Sequence, residues 1–449
     1  MSALLKNNAG AKSVALITFG CAKNLVDSEV MAGYLEKSGY VSVSDPAGAL
    51  IIILNTCGFI GPARAEAETA IREAARLKKK NPSTKIIVTG CYAERSLAEL
   101  RERFPDVDGW IGVKDFDRIV DVIEGRSFTG SEKTFLYDHR TPRILSTPAS
   151  WAYVKISEGC SHECAFCSIP LIKGPFRSRP PASIIREVEL LASRGVREIN
   201  LVSQDTTFYG RDRKGRVNLS SLLKKLAAIR GIAWIRILYG YPEEITDELL
   251  ETMLEPKICA YLDIPFQHSD ARITRKMKRG MEGRRALDLL RKIRLEIPGI
   301  SVRTSLMVGF PGEGREEFEN LKSFVREARF DHLGVFTYSR ETGTPAHGLG
   351  DSVGEQAKQR RRDEILEIQA AISSEKLRAR VGQKLEALVE GTWTKDRRFL
   401  ICRGRFQAPE VDGVIFLRSA RPPVALPGPL PCVEITGSEV YDLRGKFVR

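Results

Sequence analysis

The first 125 or so residues alternate short apolar runs with longer segments of helical character. The apolar runs are of strand length, and the segments that follow them have the spacing or composition of amphipathic helices. This βαβαβ alternation predicts a parallel, doubly wound α/β sheet, which we assign to residues 1–126. The predicted strands are residues 14–19, 50–54 and 85–89, and the predicted helices are residues 25–38, 63–80 and 94–104.

A polar segment with Pro142 and Pro148 follows, and we predict that residues 127–148 form a linker. A second β/α alternation then runs to a charged helix at residues 356–378. Six β/α units in about 190 residues predict a partial (β/α)6 barrel over residues 149–378, short of the usual eight units. The predicted strands are residues 152–157, 198–203, 234–238, 261–264, 301–308 and 333–337.

The pattern changes again near residue 381, where short β-rich runs are broken by glycine and proline. Residues 385–390, 399–402, 413–418 and 431–436 are the candidate strands. We therefore predict a small all-β domain over residues 379–449.

Composition narrows the class of protein. The chain has 449 residues with 43% hydrophobic and 28% charged residues, which argues against a largely disordered chain. It has no apolar run of the roughly 18 residues that span a bilayer, and its start, MSALLKNNAG, lacks the apolar core of a signal peptide. We expect no membrane partner and a cytoplasmic location. The net charge of +13 favours a polyanionic setting such as RNA or the ribosome, although a solvated basic surface is the alternative.

Nine cysteines in a chain without a secretory signal argue against a disulfide framework. Cys160, Cys164 and Cys167 have the spacing C-x3-C-x2-C in EGCSHECAFCSIP, directly after the first predicted barrel strand. Three thiolates are one short of the four that normally hold a 4Fe–4S cluster, so an iron–sulfur cluster with one open iron is the favoured interpretation. A zinc site that includes His162 is the alternative.

Cys21, Cys57 and Cys91 are distant in sequence, but each follows a predicted strand of the N-terminal domain, and each has a glycine beside it. The carboxyl ends of parallel strands lie on one edge of a sheet, so these thiols are expected to meet there. A second three-thiolate cluster is the favoured interpretation, and three buried structural cysteines are the alternative. The remaining cysteines, Cys259, Cys402 and Cys432, are predicted to be core residues.

The first cysteine motif, with the aromatic Phe166 before its last cysteine, resembles the radical S-adenosylmethionine (SAM) superfamily. With both cysteine sets, essentially the whole chain resembles a radical SAM methylthiotransferase. The resemblance implies an N-terminal cluster domain, a radical SAM barrel and a C-terminal TRAM-type β domain. It also implies two 4Fe–4S clusters, one held by Cys21, Cys57 and Cys91 and the other by the barrel cysteines.

The resemblance further implies that two SAM molecules are used. One methylates a sulfur on the N-terminal cluster, and the other is cleaved to a radical that removes a hydrogen from the substrate carbon. An electron donor such as a flavodoxin or ferredoxin and a source of sulfur are the implied partners.

Two branches of this family differ in substrate, namely an adenosine of tRNA or an aspartate of ribosomal protein S-twelve. GCAKNLVDSE is similar to the signature of the aspartate branch, in which Lys23 stands where the tRNA branch has methionine, although Ala22 replaces the usual proline. SIPLIKGPFRSRP also resembles that branch, since the tRNA enzymes usually carry an acidic residue near Phe176. The resemblance thus implies methylthiolation of the aspartate β-carbon in S-twelve, free or within the ribosome, with tRNA adenosine as the alternative acceptor.

Candidate SAM contacts other than Phe166 lie at or inside predicted barrel strands. Ser203 and Gln204 end the second strand, where they contact SAM or substrate or else hold a loop. Arg303 lies inside an apolar strand and needs a partner, either a SAM carboxylate or a buried acid. Gly309 opens GFPGE, which lacks phosphate-loop spacing and is interpreted as a close backbone approach to the nucleoside.

The C-terminal domain has two interpretations. Small basic β barrels often bind RNA through charge and aromatic stacking, but aromatic residues are sparse here. The acidic Glu410 and Asp412 lie in the middle of the domain, so docking onto a ribosomal protein fits at least as well.

Overall fold

The computed structural model describes residues 12–215, 217–418 and 430–448. The N-terminal stretch MSALLKNNAG, on which the expectation about a signal peptide rests, lies outside these residues. The described residues pack as two compact units, one within residues 12–146, 158–161 and 167–176, the other within residues 147–157, 162–166, 177–215, 217–418 and 430–448. Within the described ranges, every helix is too short or too polar to cross a bilayer.

The first unit contains a five-stranded, fully parallel sheet in the order β2-β1-β3-β4-β5. The three longer strands match the predicted ones, and the three-residue strands β2 and β5 were not predicted. The strands are β1 (Lys12–Thr18), β2 (Tyr40–Ser42), β3 (Ile51–Thr56), β4 (Lys85–Gly90) and β5 (Gly109–Ile111). The helices are α1 (Ala22–Lys37), α2 (Gly61–Lys80), α3 (Cys91–Arg103), α4 (Ile119–Ile123) and α5 (Ile169–Lys173).

Burial of the central strands sets the position of this sheet. All six residues of β3 are buried, as are the last five of β4, which is the pattern of strands covered on both faces. Ile52, Ile86 and Val88 pack with Ala67 and Ile71 of α2 in one apolar cluster. This packing fixes the carboxyl ends of β1, β3 and β4 side by side, where the three cysteines follow.

The second unit contains a six-stranded parallel sheet in the order β13-β12-β11-β10-β9-β6. Its sequential strand order confirms the predicted six β/α units of a partial barrel. The strands are β6 (Trp151–Lys155), β9 (Glu198–Val202), β10 (Trp234–Ile237), β11 (Ile258–Asp263), β12 (Ser301–Val308) and β13 (His332–Thr337). The helices are α6 (Pro181–Ser193), α7 (Leu219–Ala227), α8 (Asp247–Thr252), α9 (Ala271–Lys276), α10 (Gly283–Glu296), α11 (Arg315–Ala328) and α12 (Glu355–Arg378). Two-residue strands, β7 (Ser157–Glu158) and β8 (Arg177–Ser178), flank the cysteine segment.

The C-terminal β domain belongs to the same unit and contains a six-stranded mixed sheet in the order β14-β18-β19-β17-β16-β15. The strands are β14 (Lys384–Glu386), β15 (Leu388–Thr392), β16 (Phe399–Arg403), β17 (Ile415–Arg418), β18 (Cys432–Ser438) and β19 (Leu443–Phe447). The three-part α/β, partial-barrel and small-β fold class is therefore confirmed. The domain boundaries at residues 126, 148 and 378 stay predictions.

The prediction that Cys432 is a core residue is wrong. Cys259 and Cys402 are buried, but Cys432 is exposed. It is the first residue of β18, where alternation turns Val433 and Ile435 inward and leaves Cys432 facing outward.

Candidate functional site

Cys21, Cys57 and Cys91 all follow strands of the parallel sheet in the first unit. Cys21 is the N-cap residue of α1, Cys57 comes directly after β3, and Cys91 is the first residue of α3, directly after β4. Because β1 pairs with β3 and β3 pairs with β4, these cysteines follow three adjacent strand ends.

The backbones of the three cysteine loops are in close contact. A Cβ atom added at Gly20 would lie 3.1 Å from the Sγ of Cys57, and one added at Gly58 would lie 2.7 Å from the Cα of Tyr92. The loop of Cys21 therefore touches that of Cys57, which in turn touches that of Cys91. Larger residues at these glycines would push the loops apart.

Asn24, on the first turn of α1, contacts all three loops. Its side-chain amide donates hydrogen bonds to the carbonyl oxygens of Phe19 at 3.0 Å and Thr56 at 3.3 Å. Its Oδ1 lies 3.6 Å from the Sγ of Cys91, in position to accept from the thiol. Asn24 is only 1% exposed, so these bonds are made away from water, and one buried amide links the three strand ends.

Burial is the main influence on the pKa values of the Cys57 and Cys91 thiols. Burial raises the pKa of the Cys91 thiol to about 12, against the opposing effect of Lys173. Burial also raises the pKa of Cys57, with a further contribution from Cys21. Metal binding would displace the thiol protons, because thiolates are the binding form.

Lys173 at the end of α5 supplies a buried positive charge in the same unit. Burial disfavours its ammonium form, but Asp27, Glu158 and Cys91 outweigh that effect and raise the pKa of Lys173 well above its usual value. Its Nζ lies 3.2 Å from the Asp27 carboxylate and 3.6 Å from that of Glu158. A permanent cation therefore lies near a site where thiolate charge would accumulate.

This donor set fits an iron–sulfur cluster. Within residues 12–215, 217–418 and 430–448, no three cysteine, histidine or acidic side chains converge enough to hold a single metal ion. A four-iron cluster makes a different demand, since each thiolate binds a different iron atom. Cys21, Cys57 and Cys91 provide three such donors on touching loops, and an open iron would lack a protein ligand.

The second cysteine set is Cys160, Cys164 and Cys167, of which Cys160 and Cys167 belong to the first unit and Cys164 to the second. In the first unit, Cys160 donates its backbone N–H to the carbonyl of Gly174 at 3.1 Å, and Cys167 comes just before α5. In the second unit, the Sγ of Cys164 accepts a hydrogen bond from Nη1 of Arg279 at 3.6 Å. All three cysteines are half-buried.

A stack of side chains holds the part of this segment that belongs to the second unit. The Arg279 guanidinium lies 4.0 Å from the ring centre of Tyr241, and the His162 ring stacks on Tyr241 at 3.8 Å. Nε2 of His162 lies 2.5 Å from the buried carboxylate of Asp205. His162, the candidate fourth ligand of a zinc site, is thus engaged by Asp205.

The candidate SAM residues of the second unit occupy different environments. Ser203 and Gln204 follow β9, at the carboxyl end of the sheet, with Ser203 fully buried and Gln204 half-buried. Gly309 follows β12, and a Cβ added to it would meet Lys358 at 2.4 Å, so the close approach that requires glycine is to α12. Phe166 is buried, at 8% exposure. Their contacts with SAM stay predictions.

Arg303 has a buried acid as its partner. Nη1 of Arg303 lies 2.7 Å from Oδ1 of Asp412 and donates to the carbonyl of Val411 at 3.2 Å. Of the two partners considered from sequence, the structure shows the acid, and the SAM contact stays a prediction.

Three family models match separate parts of the chain. An uncharacterised protein family, UPF0004, matches residues 13–112, the radical SAM superfamily matches residues 154–325, and the TRAM domain matches residues 381–448. These matches follow the same order as the three predicted parts.

Full-length relatives decide the family. The chain is 44% identical over 442 residues to a ribosomal protein uS12 methylthiotransferase RimO of Anaeromyxobacter sp. (strain K), covering 98% of this chain and 94% of the relative. It is 43% identical to a protein of the same name from Desulforamulus reducens, covering 97% of this chain and 100% of the relative. The chain belongs to the RimO family. Membership in the RimO family confirms the resemblance, and with it a radical SAM methylthiotransferase enzyme.

Solved structures agree with the fold. The radical SAM methyltransferase TsrM from Kitasatospora setae, solved with cobalamin and a [4Fe-4S] cluster, has a TM-score of 0.54 at 15% identity, covering 75% of this chain and 77% of that one. OxsB, a cobalamin-dependent SAM radical enzyme, has a TM-score of 0.50 at 12% identity, covering 81% and 56%. Both are similar to this RimO-family chain in fold alone.

Asn24 and Lys173 are site residues that the sequence did not single out. Both lie inside motifs that supported the resemblance, GCAKNLVDSE and SIPLIKGPFRSRP. Asparagine, however, is common in helix first turns and lysine at helix ends, so neither position signals a contact with cysteines distant in sequence.

Asn24→Ala is expected to weaken iron binding at the N-terminal site. The substitution removes the donor from the half-buried carbonyl of Phe19 and from the buried carbonyl of Thr56. The loss at Thr56 costs about 1–3 kcal/mol. The number of iron atoms per chain should fall from about eight towards about four. The rate of methylthio transfer should fall by about 10- to 100-fold. Iron analysis and chemical unfolding of Asn24→Ala beside Asn81→Ala, an exposed asparagine of the same unit, would check this. Wild-type iron content in Asn24→Ala would contradict the role.

Proposed function

We propose that this chain transfers a methylthio group to the β-carbon of an aspartate in ribosomal protein uS12, the S-twelve protein named above. The similarity to RimO proteins over 98% of the chain is the observation that carries the proposal. The site of Cys21, Cys57 and Cys91 in the first unit supports it, because sulfur transfer and radical formation need separate centres.

The proposed cofactors are SAM and two 4Fe–4S clusters. Cys21, Cys57 and Cys91 hold one cluster, and Cys160, Cys164 and Cys167 hold the other. When bound, these groups supply the one-electron chemistry that an unactivated carbon requires, since a side chain of ordinary pKa cannot remove its proton.

The protein's own residues place and protect these groups. Asn24 ties the three loops of the N-terminal site together, and Lys173 balances thiolate charge beside it. Arg279, Tyr241 and His162 hold the middle of the second cysteine segment. Such fixed surroundings keep reactive groups in a productive geometry.

Phe166, Ser203, Gln204 and Gly309 are the proposed SAM contacts. Ser203, Gln204 and Gly309 follow the carboxyl ends of barrel strands, where β/α barrels place their chemistry. Arg303, the fifth proposed contact, lies near the opposite end of β12 and pairs with Asp412.

The proposed partners are uS12, free or within the ribosome, a one-electron donor such as a flavodoxin or ferredoxin, and a sulfur source. The proposed location is the cytoplasm, where ribosomes are present. The net charge of +13 supports a ribosomal setting without choosing between protein and RNA.

Mass spectrometry of both candidate acceptors tests the proposal. The reconstituted enzyme is incubated anaerobically with SAM, a reductant and either uS12 or unmodified tRNA. We expect a methylthio group on one aspartate of uS12 and none on tRNA. A product on tRNA with none on uS12 would replace the proposal with tRNA adenosine modification.

A further inference from the structure

One segment of the C-terminal β domain, residues 403–412, makes side-chain contacts with the six-stranded parallel sheet. We call residues 403–412 the floor segment. It begins at the last residue of β16 and continues into the loop before β17. The segment and the sheet belong to the same compact unit.

Strands β6, β9 and β10 each supply one buried side chain to the floor segment. The three side chains contact the floor segment through different groups, namely a hydroxyl, a carboxylate and a guanidinium. Oη of Tyr153 on β6 donates to Glu410 at 2.9 Å, Nη2 of Arg403 lies 2.5 Å from Glu198 on β9, and Nη1 of Arg236 on β10 donates to the carbonyl of Arg405 at 2.7 Å.

The other three strands converge on Asp412. Tyr261 of β11 donates its hydroxyl to Oδ2 at 2.7 Å, and Arg303 of β12 donates to Oδ1 at 2.7 Å. Nδ1 of His332 on β13 lies 3.3 Å from the same oxygen. Nε2 of His332 is 2.8 Å from the carbonyl of Phe406, which only accepts, so that nitrogen carries the hydrogen.

These six side chains share one face of the sheet, and Glu198, Arg303 and His332 lie at or near its amino-terminal end. Register places Tyr153 beside Asn200 and Arg236, and Arg303 beside His332, and residues opposite each other in parallel strands project to the same side. Glu198 and His332 are the first residues of their strands. Arg303 lies five residues before the end of β12, which is about 16 Å from the carboxyl end at about 3.3 Å per residue.

Charge makes Asp412 the centre of this contact. Its side chain is fully buried, against 17% exposure for Arg303 and 14% for His332. Burial alone would raise the pKa of Asp412, but His332 and Arg303 outweigh it and lower the pKa. The backbone N–H of Ala408 also donates to Oδ2 of Asp412, at 2.7 Å. A buried carboxylate with three side-chain partners and one backbone partner is costly to remove, because each partner would lose its own counter-group.

We propose that the floor segment closes the amino-terminal end of the partial barrel and that Asp412 is a positioning residue, fixing Tyr261, Arg303 and His332 on the inside of the sheet. The C-terminal domain then contributes to SAM cleavage by the barrel, independently of any role in binding the methylthio acceptor. SAM turnover should depend on Asp412 even when no macromolecular substrate is present.

Two readouts on the full-length, cluster-loaded enzyme test this. The first is amide hydrogen exchange of β11 and β12, which we expect to speed up in Asp412→Asn. The second is SAM cleavage without uS12, which we expect to fall by about 10- to 100-fold, because small displacements of positioned groups are costly for rate. Only the SAM-cleavage readout rests on the proposed function. If the wild-type enzyme did not cleave SAM, the proposed function would be refuted, whereas hydrogen exchange of β11 and β12 would still test the role of the floor segment.

Matched variants separate positioning from general damage. Asp396→Asn removes an acid of the same domain that pairs with exposed Arg398, and it should leave both readouts unchanged. Tyr261→Phe keeps the ring and removes one bond to Asp412, so it should produce a smaller change of the same kind if Asp412→Asn fails to fold.

A double variant tests whether charge pairing is the cause. Asp412→Asn leaves Arg303 with only the more distant Asp263, at 3.8 Å, as an acidic partner. Arg303→Gln in that background removes the cation that has lost its nearest acid. We expect the double variant to regain hydrogen-exchange protection of β11 and β12, whereas purely structural damage would accumulate. Wild-type SAM cleavage by Asp412→Asn, with loss of uS12 modification alone, would overturn the proposal and leave the domain a docking module.

Discussion

Cys160→Ala is expected to abolish SAM cleavage and methylthio transfer together. The three cysteines of the C-x3-C-x2-C segment are the proposed thiolate donors of the SAM-binding cluster, and two thiolates hold a four-iron cluster poorly. Without that cluster no electron reaches SAM, so deoxyadenosine formation should fall to background. Chromatography for deoxyadenosine and mass spectrometry for modified uS12 measure the two losses in one reaction.

The iron content distinguishes loss of one cluster from collapse of the protein. Cys160→Ala should keep about four of about eight irons, those of the N-terminal site. Because the Cys160 thiol is half-buried and its backbone N–H makes the hydrogen bond to Gly174, alanine preserves that backbone contact. Cys432→Ala, which removes an exposed cysteine, is the control and should retain both activities. Deoxyadenosine at wild-type levels in Cys160→Ala would rule out this ligand assignment.

Hydrophobic periodicity was enough to predict the main elements. The six barrel strands and the three long strands of the N-terminal sheet are long enough to show an apolar run bounded by polar residues. β2 and β5 have three residues each, too few to establish any period. They become strands because neighbouring strands offer backbone partners, which is a tertiary effect.

The cysteines could be predicted because cluster chemistry restricts the residue type and topology restricts the place. Adjacent strand ends brought Cys21, Cys57 and Cys91 to one edge of the sheet, as the βαβαβ pattern implied. The positions of Asn24 and Lys173 beside them depend on side-chain directions across separate loops. No spacing along the chain encodes such contacts.

The acidic residues of the C-terminal domain show where sequence reasoning stopped. From Glu410 and Asp412, docking of this domain onto a ribosomal protein was judged to fit at least as well as RNA binding. The structure instead buries the Asp412 side chain against Arg303, 109 residues away along the chain. The position of Arg303 inside an apolar strand indicated that it needs a partner, but only the fold shows that this partner is Asp412.

Cys21→Ala is expected to stop methylthio transfer while SAM cleavage continues. Cys21 is the N-cap residue of α1 but makes no side-chain capping hydrogen bond, so alanine removes a thiolate without removing a cap. The helix and Asn24 on its first turn should therefore persist. With the C-x3-C-x2-C cysteines intact, reduced enzyme should still form deoxyadenosine, and the modified aspartate should be absent.

The other two N-terminal ligands make this a prediction about a site and not about one residue. Cys57→Ala should give the same separation of cleavage from transfer, whereas Cys91→Ala should add a stability cost, because Cys91 is 6% exposed and packs with Val113 and Ile172. Iron should again fall from about eight to about four per chain. If Cys21→Ala still modified uS12 at the wild-type rate, the methylthio group would have to come from a centre that Cys21 does not hold. The proposal that one cysteine set supports methylthio transfer and the other supports SAM cleavage would then be wrong.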